Sequence, residues 1–130
     1  MKFSVDHIIA APPEAVMAAF VDPAFIASLA ALDPAKLTWV DEHRYDIGRR
    51  RATFTIEADH YDERFEGVGR EQFLPVSEGT AWHVEVELKV RWPVVGGLVE
   101  KAIASGLRET LAAEAALLDL FLSRSGPPPH

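Results

Sequence analysis

The sequence predicts an α+β domain in which a curved antiparallel sheet of about five to seven strands wraps one long C-terminal helix. Two short helices stand between the first and second strands. Three observations carry this reading. Val94 to Leu122 is the longest regular run, with apolar residues recurring at helical spacing. Trp82, Val84, Val86, Leu88, Val90 and Trp92 alternate strictly with His83, Glu85, Glu87, Lys89 and Arg91, the pattern of a strand with one dry and one wet face. Between the first strand and the rest, Pro12-Pro13, Asp22-Pro23 and Asp33-Pro34 punctuate two alanine-rich stretches.

Size and charge bound the function classes. With 130 residues, 48% of them hydrophobic, the chain has material for one domain with a real core, expected over residues 1–122 with a disordered tail at 123–130. A net charge of −7 opposes binding to polyanions, and the short cluster Arg49-Arg50-Arg51, with Arg44 nearby, reads as a solvated strand or turn, so no nucleic-acid partner is expected. Cysteine is absent, which removes disulfides, thiolate metal sites and cysteine nucleophiles. No apolar run reaches membrane-spanning length and the first residues form no signal segment, so a soluble cytoplasmic protein without stable membrane insertion, a monomer or homodimer, is expected.

Taken in order, Phe3, Val5, His7 and Ile9 alternate with Lys2, Ser4, Asp6 and Ile8, which puts His7 on the buried face of the first strand. Pro13 to Phe20 makes a short helix with Glu14 in its first turn, and Asp22 caps a second that runs to about Ala31. Leu37-Thr38-Trp39-Val40 opens a strand ending near Arg44 or Tyr45, and Asp46-Ile47-Gly48 turns it back into Ala52, Phe54, Ile56 and Ala58. After a polar connection from Asp59 to Glu63, the strand Phe65 to Leu74 contains Gly67 and Gly69, which predict a bulge or a close backbone approach. Ser77-Glu78-Gly79 is a hairpin turn into the Trp82 strand.

On a helical wheel the last helix places Val95, Val99, Ala102, Ile103, Gly106, Thr110, Ala113, Leu117 and Phe121 on one face, flanked by Leu98, Leu107, Leu111 and Leu118. Glu100, Lys101, Ser105, Arg108 and Asp119 fall opposite, so the first set is expected to face the sheet.

This order of elements, with Ala10-Ala11-Pro12-Pro13-Glu14-Ala15-Val16, Phe20-Val21-Asp22-Pro23 and the run from Val90 through Pro93-Val94-Val95-Gly96-Gly97 to Lys101, resembles the helix-grip fold of the START-like (SRPBCC) superfamily, which includes Bet v 1-like lipid binders and polyketide cyclases. The last run is similar to an uncharacterised bacterial branch of the DUF2505 kind. One departure is the short segment between Arg49 and Phe73, which implies a missing or shrunken strand and a cavity that is small or open on that side.

The resemblance implies an apolar cavity between sheet and helix. Its expected lining is His7, Trp39, Phe54, Phe65, Trp82, Val84, Val86, Val99, Ile103, Gly106, Thr110 and Leu117. His7 and Glu114 are the candidate acid–base residues, and Glu71 joins them if the glycines set Phe65, Glu71 and Phe73 inward. The plainer alternative makes His7 a core or edge histidine satisfied by backbone and turns Glu114 outward to pair with Arg108 or another basic neighbour; it is favoured, because no spacing rule singles these residues out. His43, His60 and His83 with Asp59 and Glu63 show no metal-ligand spacing, and Gly67-x-Gly69 is no dinucleotide fingerprint, so neither metal nor cofactor is expected. Three functions stay open: binding or transport of a small hydrophobic lipid or aromatic metabolite, the preferred reading; a cyclase or dehydratase using His7 and a cavity carboxylate; and a structural or interaction domain with a collapsed cavity.

Overall fold

The computed structural model describes residues 1–32, 40–56, 65–91 and 94–125. Strand β1 (Lys2–Ile9) leads into helices α1 (Pro13–Phe20) and α2 (Pro23–Leu32). Strands β2 (Val40–Asp46), β3 (Arg51–Ile56), β4 (Phe65–Val76) and β5 (Gly79–Val90) come next, and helix α3 (Gly96–Ser125) closes the chain. The strands form one five-stranded sheet in the order β1-β5-β4-β3-β2, antiparallel throughout. One face of the sheet is covered by the three helices: α3 packs against β1 and β5, α1 reaches β4 and β5, and α2 leans on α3. This is the helix-grip architecture, with five strands at the lower end of the expected range.

The prolines act as expected. Pro13 opens α1, where Ala15 and Val16 donate to Pro12 O, and Asp22 Oδ1 caps α2 by accepting from the Ala24 amide at 2.8 Å. Phe25 from α2 and Val16 and Met17 from α1 are fully buried over the sheet. A covering layer made of two helices this short depends on that burial rather than on its own helical propensity.

Pairing sorts the covered face into cross-strand rows. His7, Trp82 and Phe73 form one row. The next runs Val5, Val84, Glu71, Ala52, Tyr45, and the one after it Phe3, Val86, Gly69, Phe54, His43. The register of β4 is unbroken from Phe65 to Val76 on its β5 side, so the expected bulge at Gly67 and Gly69 is absent. These glycines instead make room for neighbours: a Cβ on Gly69 would lie 1.9 Å from the Phe54 ring, and one on Gly67 would lie 2.8 Å from Ile56 Cβ. Gly79, at φ +135 with the Ile9 carbonyl 2.2 Å from a notional Cβ, is fixed by both backbone and space.

Helix α3 departs from the sequence expectation in phase and in ends. Its buried residues are Ile103, Ala104, Leu107, Leu111, Ala115 and Leu118, whereas Ala102 and Ala113 are exposed and Gly106, Thr110 and Leu117 are half-buried. The buried stripe is rotated by about one residue's step round the helix, roughly 100°, toward the leucines that were expected to flank it. The reason is size: a leucine removes far more apolar area from water than an alanine or glycine, so the leucine side wins the contact with the sheet. Glu100 and Asp119, expected on the far side, are half-buried; Glu100 Oε1 accepts from the Val90 amide at 3.2 Å and Asp119 Oδ1 from the Ala10 amide at 3.0 Å. Val94 and Val95 form a turn rather than the first helical residues, with Val94 at φ 70, and the C-terminal end runs on to Ser125 rather than stopping at Leu122. Residues 126–130 of the expected tail, with Trp39, Trp92 and the polar connection holding Asp59, His60 and Glu63, lie outside the described residues.

Candidate functional site

The rotation of α3 leaves its glycine, threonine and valine side as a half-buried flank, comprising Val99, Gly106, Thr110, Glu114, Leu117 and Phe121. On β4, Glu71 is paired with the small Ala52 of β3 and is 3% exposed. The side-chain period of two puts it on the same face as Phe73 and Val84.

Two groups stand at the Glu71 carboxyl. Trp82 Nε1 donates to Glu71 Oε1 at 3.1 Å. His43 Nε2 stands 3.8 Å from Oε2, and Oε2 itself is buried without a hydrogen-bond partner. The charge of Glu71 also acts on Tyr45 of β2 and on Glu114 of α3. Burial pushes the Glu71 carboxyl up to about 7 against the indole hydrogen bond, which pulls it down. Burial, reinforced by the negative charge of Glu71, pushes Glu114 up to about 8. Burial and both carboxylates hold the Tyr45 phenol far above its usual range, and burial holds His43 below its own. Both carboxyls are therefore held toward their protonated forms, and the charge of Glu71 acts on Glu114.

Aromatic rings cluster on the same covered face. Tyr45 stacks on His43 at 5.5 Å between ring centres and on Phe20 at 6.2 Å, and Phe20 in turn meets Phe25, Phe73 and Trp82. Phe54 lies over Gly69 and 5.2 Å from His43. Phe121 of α3 touches Phe25 at 5.3 Å.

The structure divides the candidate residues expected from the sequence. Phe54, Trp82, Val84, Val86 and Ile103 are buried on the helix-covered side, and Val99, Gly106, Thr110 and Leu117 lie on the flank. The Thr110 hydroxyl donates back to Gly106 O at 2.9 Å, which occupies its proton within the helix. His7 points inward and is half-buried, its ring 6.0 Å from that of Trp82 and its Nε2 buried without a hydrogen-bond partner. Trp39 and the side chain of Phe65 are not among the described residues. Glu114 does not turn outward to Arg108; Arg108 sits over the Phe3 ring at 4.8 Å and donates to Ser4 O. The charge that acts on Glu114 is that of Glu71, which has His43 Nε2 at 3.8 Å; neither His43 nor Tyr45 was expected in the site. The signal for them was the hairpin itself: a register with Tyr45 opposite Ala52 and His43 opposite Phe54 forces both inward.

Away from this space, the outer face of the sheet carries an open depression lined by Lys2, Ser4, Val68, Arg70, Glu85 and Glu87, a solvated surface of alternating charge. On the same face His83 bridges Asp6 and Glu85. Arg50, in the β2–β3 turn, pairs with Glu14 at 2.6 Å. Among the described residues no group of three potential metal-ligating side chains converges, and no helix is long and apolar enough to cross a membrane.

Comparison with solved structures agrees with the fold. The di-domain ARO/CYC BexL from the BE-7585A biosynthetic pathway superposes with a TM-score of 0.71 at 17% identity, over 98% of this chain and 48% of that one. Protein MLL2253 from Mesorhizobium loti gives 0.65 at 14% identity, covering 98% and 100% of the two chains. Norcoclaurine synthase from Thalictrum flavum gives 0.62 at 15% identity, covering 92% and 87%. Identities this low establish the START-like fold and nothing finer. No curated protein matches the chain. The family model described as "Protein of unknown function (DUF2505)" matches residues 29–122, and with most of its length so matched the chain belongs to the DUF2505 family.

Proposed function

We propose that this protein binds a small, largely apolar molecule between the helix-covered face of the sheet and the half-buried flank of α3, and that Glu71 and Glu114 grip the polar end of that ligand. The observation that carries the reading is Glu71 Oε2, a buried carboxyl oxygen without a hydrogen-bond partner. Burying such an atom costs on the order of 1–3 kcal/mol, a penalty that a structural core residue has no reason to keep and that a binding group recovers when its ligand arrives. The fold supports the same reading, since the norcoclaurine synthase structure similar to this chain is a complex with dopamine and hydroxybenzaldehyde. An environment-sensitive hydrophobic dye is expected to bind and brighten in the wild-type protein. Gly106→Trp, which fills the flank, is expected to abolish that binding in a protein that still folds. Unchanged dye affinity in the folded variant contradicts the location, and no dye binding at all favours a collapsed cavity.

A second reading, acid–base chemistry of the cyclase or dehydratase kind, is favoured by one specific feature: burial raises Glu71 to about 7 and Glu114 to about 8, where a carboxyl is able to donate and to accept near neutral pH. In that case Glu71 and Glu114 carry the proton transfer and His7 serves as a neighbour in the wall.

A further inference from the structure

A ligand cavity at this place leaves open what kind of polar end the ligand has, and the inference rests on that cavity reading. We propose that the polar end is a positively charged nitrogen, an ammonium or amidinium on an apolar body, and that it settles between Glu71 and Glu114.

The donor and acceptor inventory points this way. From β4 comes the Glu71 carboxyl, from α3 Glu114, from β2 Tyr45 and His43, from β1 His7, and from β5 the Trp82 indole. The described inward residues of β3, α1 and α2 add only apolar side chains such as Ala52, Phe54, Phe20 and Phe25. Glu71 Oε2 is a buried acceptor without a partner, and the nearest N–H groups do not serve it: the Trp82 N–H is given to Oε1, and His43 Nε2 stands 3.8 Å away. An acceptor left open in this way is complemented by a ligand that carries a donor.

Charge sharpens the choice from a donor to a cation. Among the described residues every lysine and arginine whose side chain is placed lies at the surface or in a turn, none on the helix-covered face of the sheet. The nearest basic group is His43, and burial favours its neutral form. A carboxylate formed at Glu71 therefore has no fixed countercharge in its apolar surroundings, which favours the protonated form. A ligand ammonium supplies the countercharge and displaces that proton. Charges and protons balance: protein with protonated Glu71 plus R–NH3⁺ gives the complex plus one H⁺ released to solvent.

The test compares three probes of one shape, 2-naphthylmethylamine, 2-methylnaphthalene and 2-naphthoate, by titration calorimetry in two buffers of different ionisation enthalpy. At pH 8 the ammonium probe is expected to bind at least about tenfold more tightly than the neutral one, with naphthoate the weakest and with up to one proton released. Its affinity is expected to rise by about tenfold from pH 6 to pH 8, as linkage to a displaced proton requires. Glu114→Gln is expected to bring the ammonium probe down to the affinity of the neutral one. Equal binding of ammonium and neutral probes by the wild-type protein, or tight ammonium binding without proton release, overturns the inference and leaves the cavity reading standing. Binding of none of the three overturns both.

Discussion

The Trp82 indole and the Glu71 carboxyl meet across two neighbouring strands, Nε1 donating to Oε1 at 3.1 Å inside the core. Trp82 is fully buried against Phe20 and Phe73, so its N–H has a fixed direction, and that direction fixes one oxygen of Glu71 and turns the other toward His43. An aromatic core residue thus serves as the positioning group of a polar site.

Trp82→Phe removes this hydrogen bond together with some packing. The packing loss is independent of pH, but the hydrogen bond is stronger to a charged carboxylate than to a neutral acid. We expect a loss of about 1–3 kcal/mol in urea denaturation at pH 5 and a visibly larger one at pH 8. Equal losses at the two pH values contradict the role of the indole.

Glu71→Gln tests the buried carboxyl through stability. Its folded value, about 7, lies above the ordinary 4.5, so the folded state holds the proton more tightly than the unfolded one. Stability contributed by the proton is complete below about 4.5 and is lost as the pH rises through 7, at an upper-bound cost on the order of 3 kcal/mol. The glutamine variant is therefore expected to match the wild type near pH 4 and to exceed its thermal midpoint at pH 8. A variant less stable than the wild type at pH 8 argues that Glu71 is ionised and paired there.

Gly69→Ala is expected to destabilise the protein by about 1–3 kcal/mol, because the new methyl group falls within the Phe54 ring. A double-mutant cycle with Phe54→Leu, measured by chemical denaturation, is expected to recover a good part of that loss. Strict additivity contradicts the packing of this ring over the glycine.

Much of this arrangement is legible in the amino-acid sequence. The period of two in the Trp82 strand and in Phe3 to Ile9 marks which faces are dry, and Pro13 and Asp22 mark the helix starts. Glu71 is legible only conditionally: its parity with Gly69 and Phe73 points inward, while its charge argues against it. The phase of α3 is not legible, because a wheel that scores residues as apolar or polar treats Ala102 and Leu107 alike, whereas burial weighs them by area. His43 and Tyr45 are hidden for another reason: their direction depends on the register across residues 47–50, a relation between two strands that no single stretch contains.

His7→Phe separates binding from chemistry. If His7 only lines the wall, ligand affinity falls by less than about tenfold, the worth of one hydrogen bond. A substrate whose turnover drops by roughly a hundredfold or more while its binding survives makes His7 the proton-transfer group in place of the Glu71–Glu114 pair.

The raised carboxyls of Glu71 and Glu114 are tested most directly by NMR titration of the glutamate side-chain carboxyl carbons, assigned by Glu71→Gln and Glu114→Gln. Two resonances are expected to titrate between about pH 6 and 9, far above the other glutamates, and each is expected to shift downward in pH when its partner is replaced. Titration of both carboxyls near 4.5, the ordinary value, each indifferent to the loss of the other, contradicts the raised and interacting carboxyls and with them the site built around Glu71.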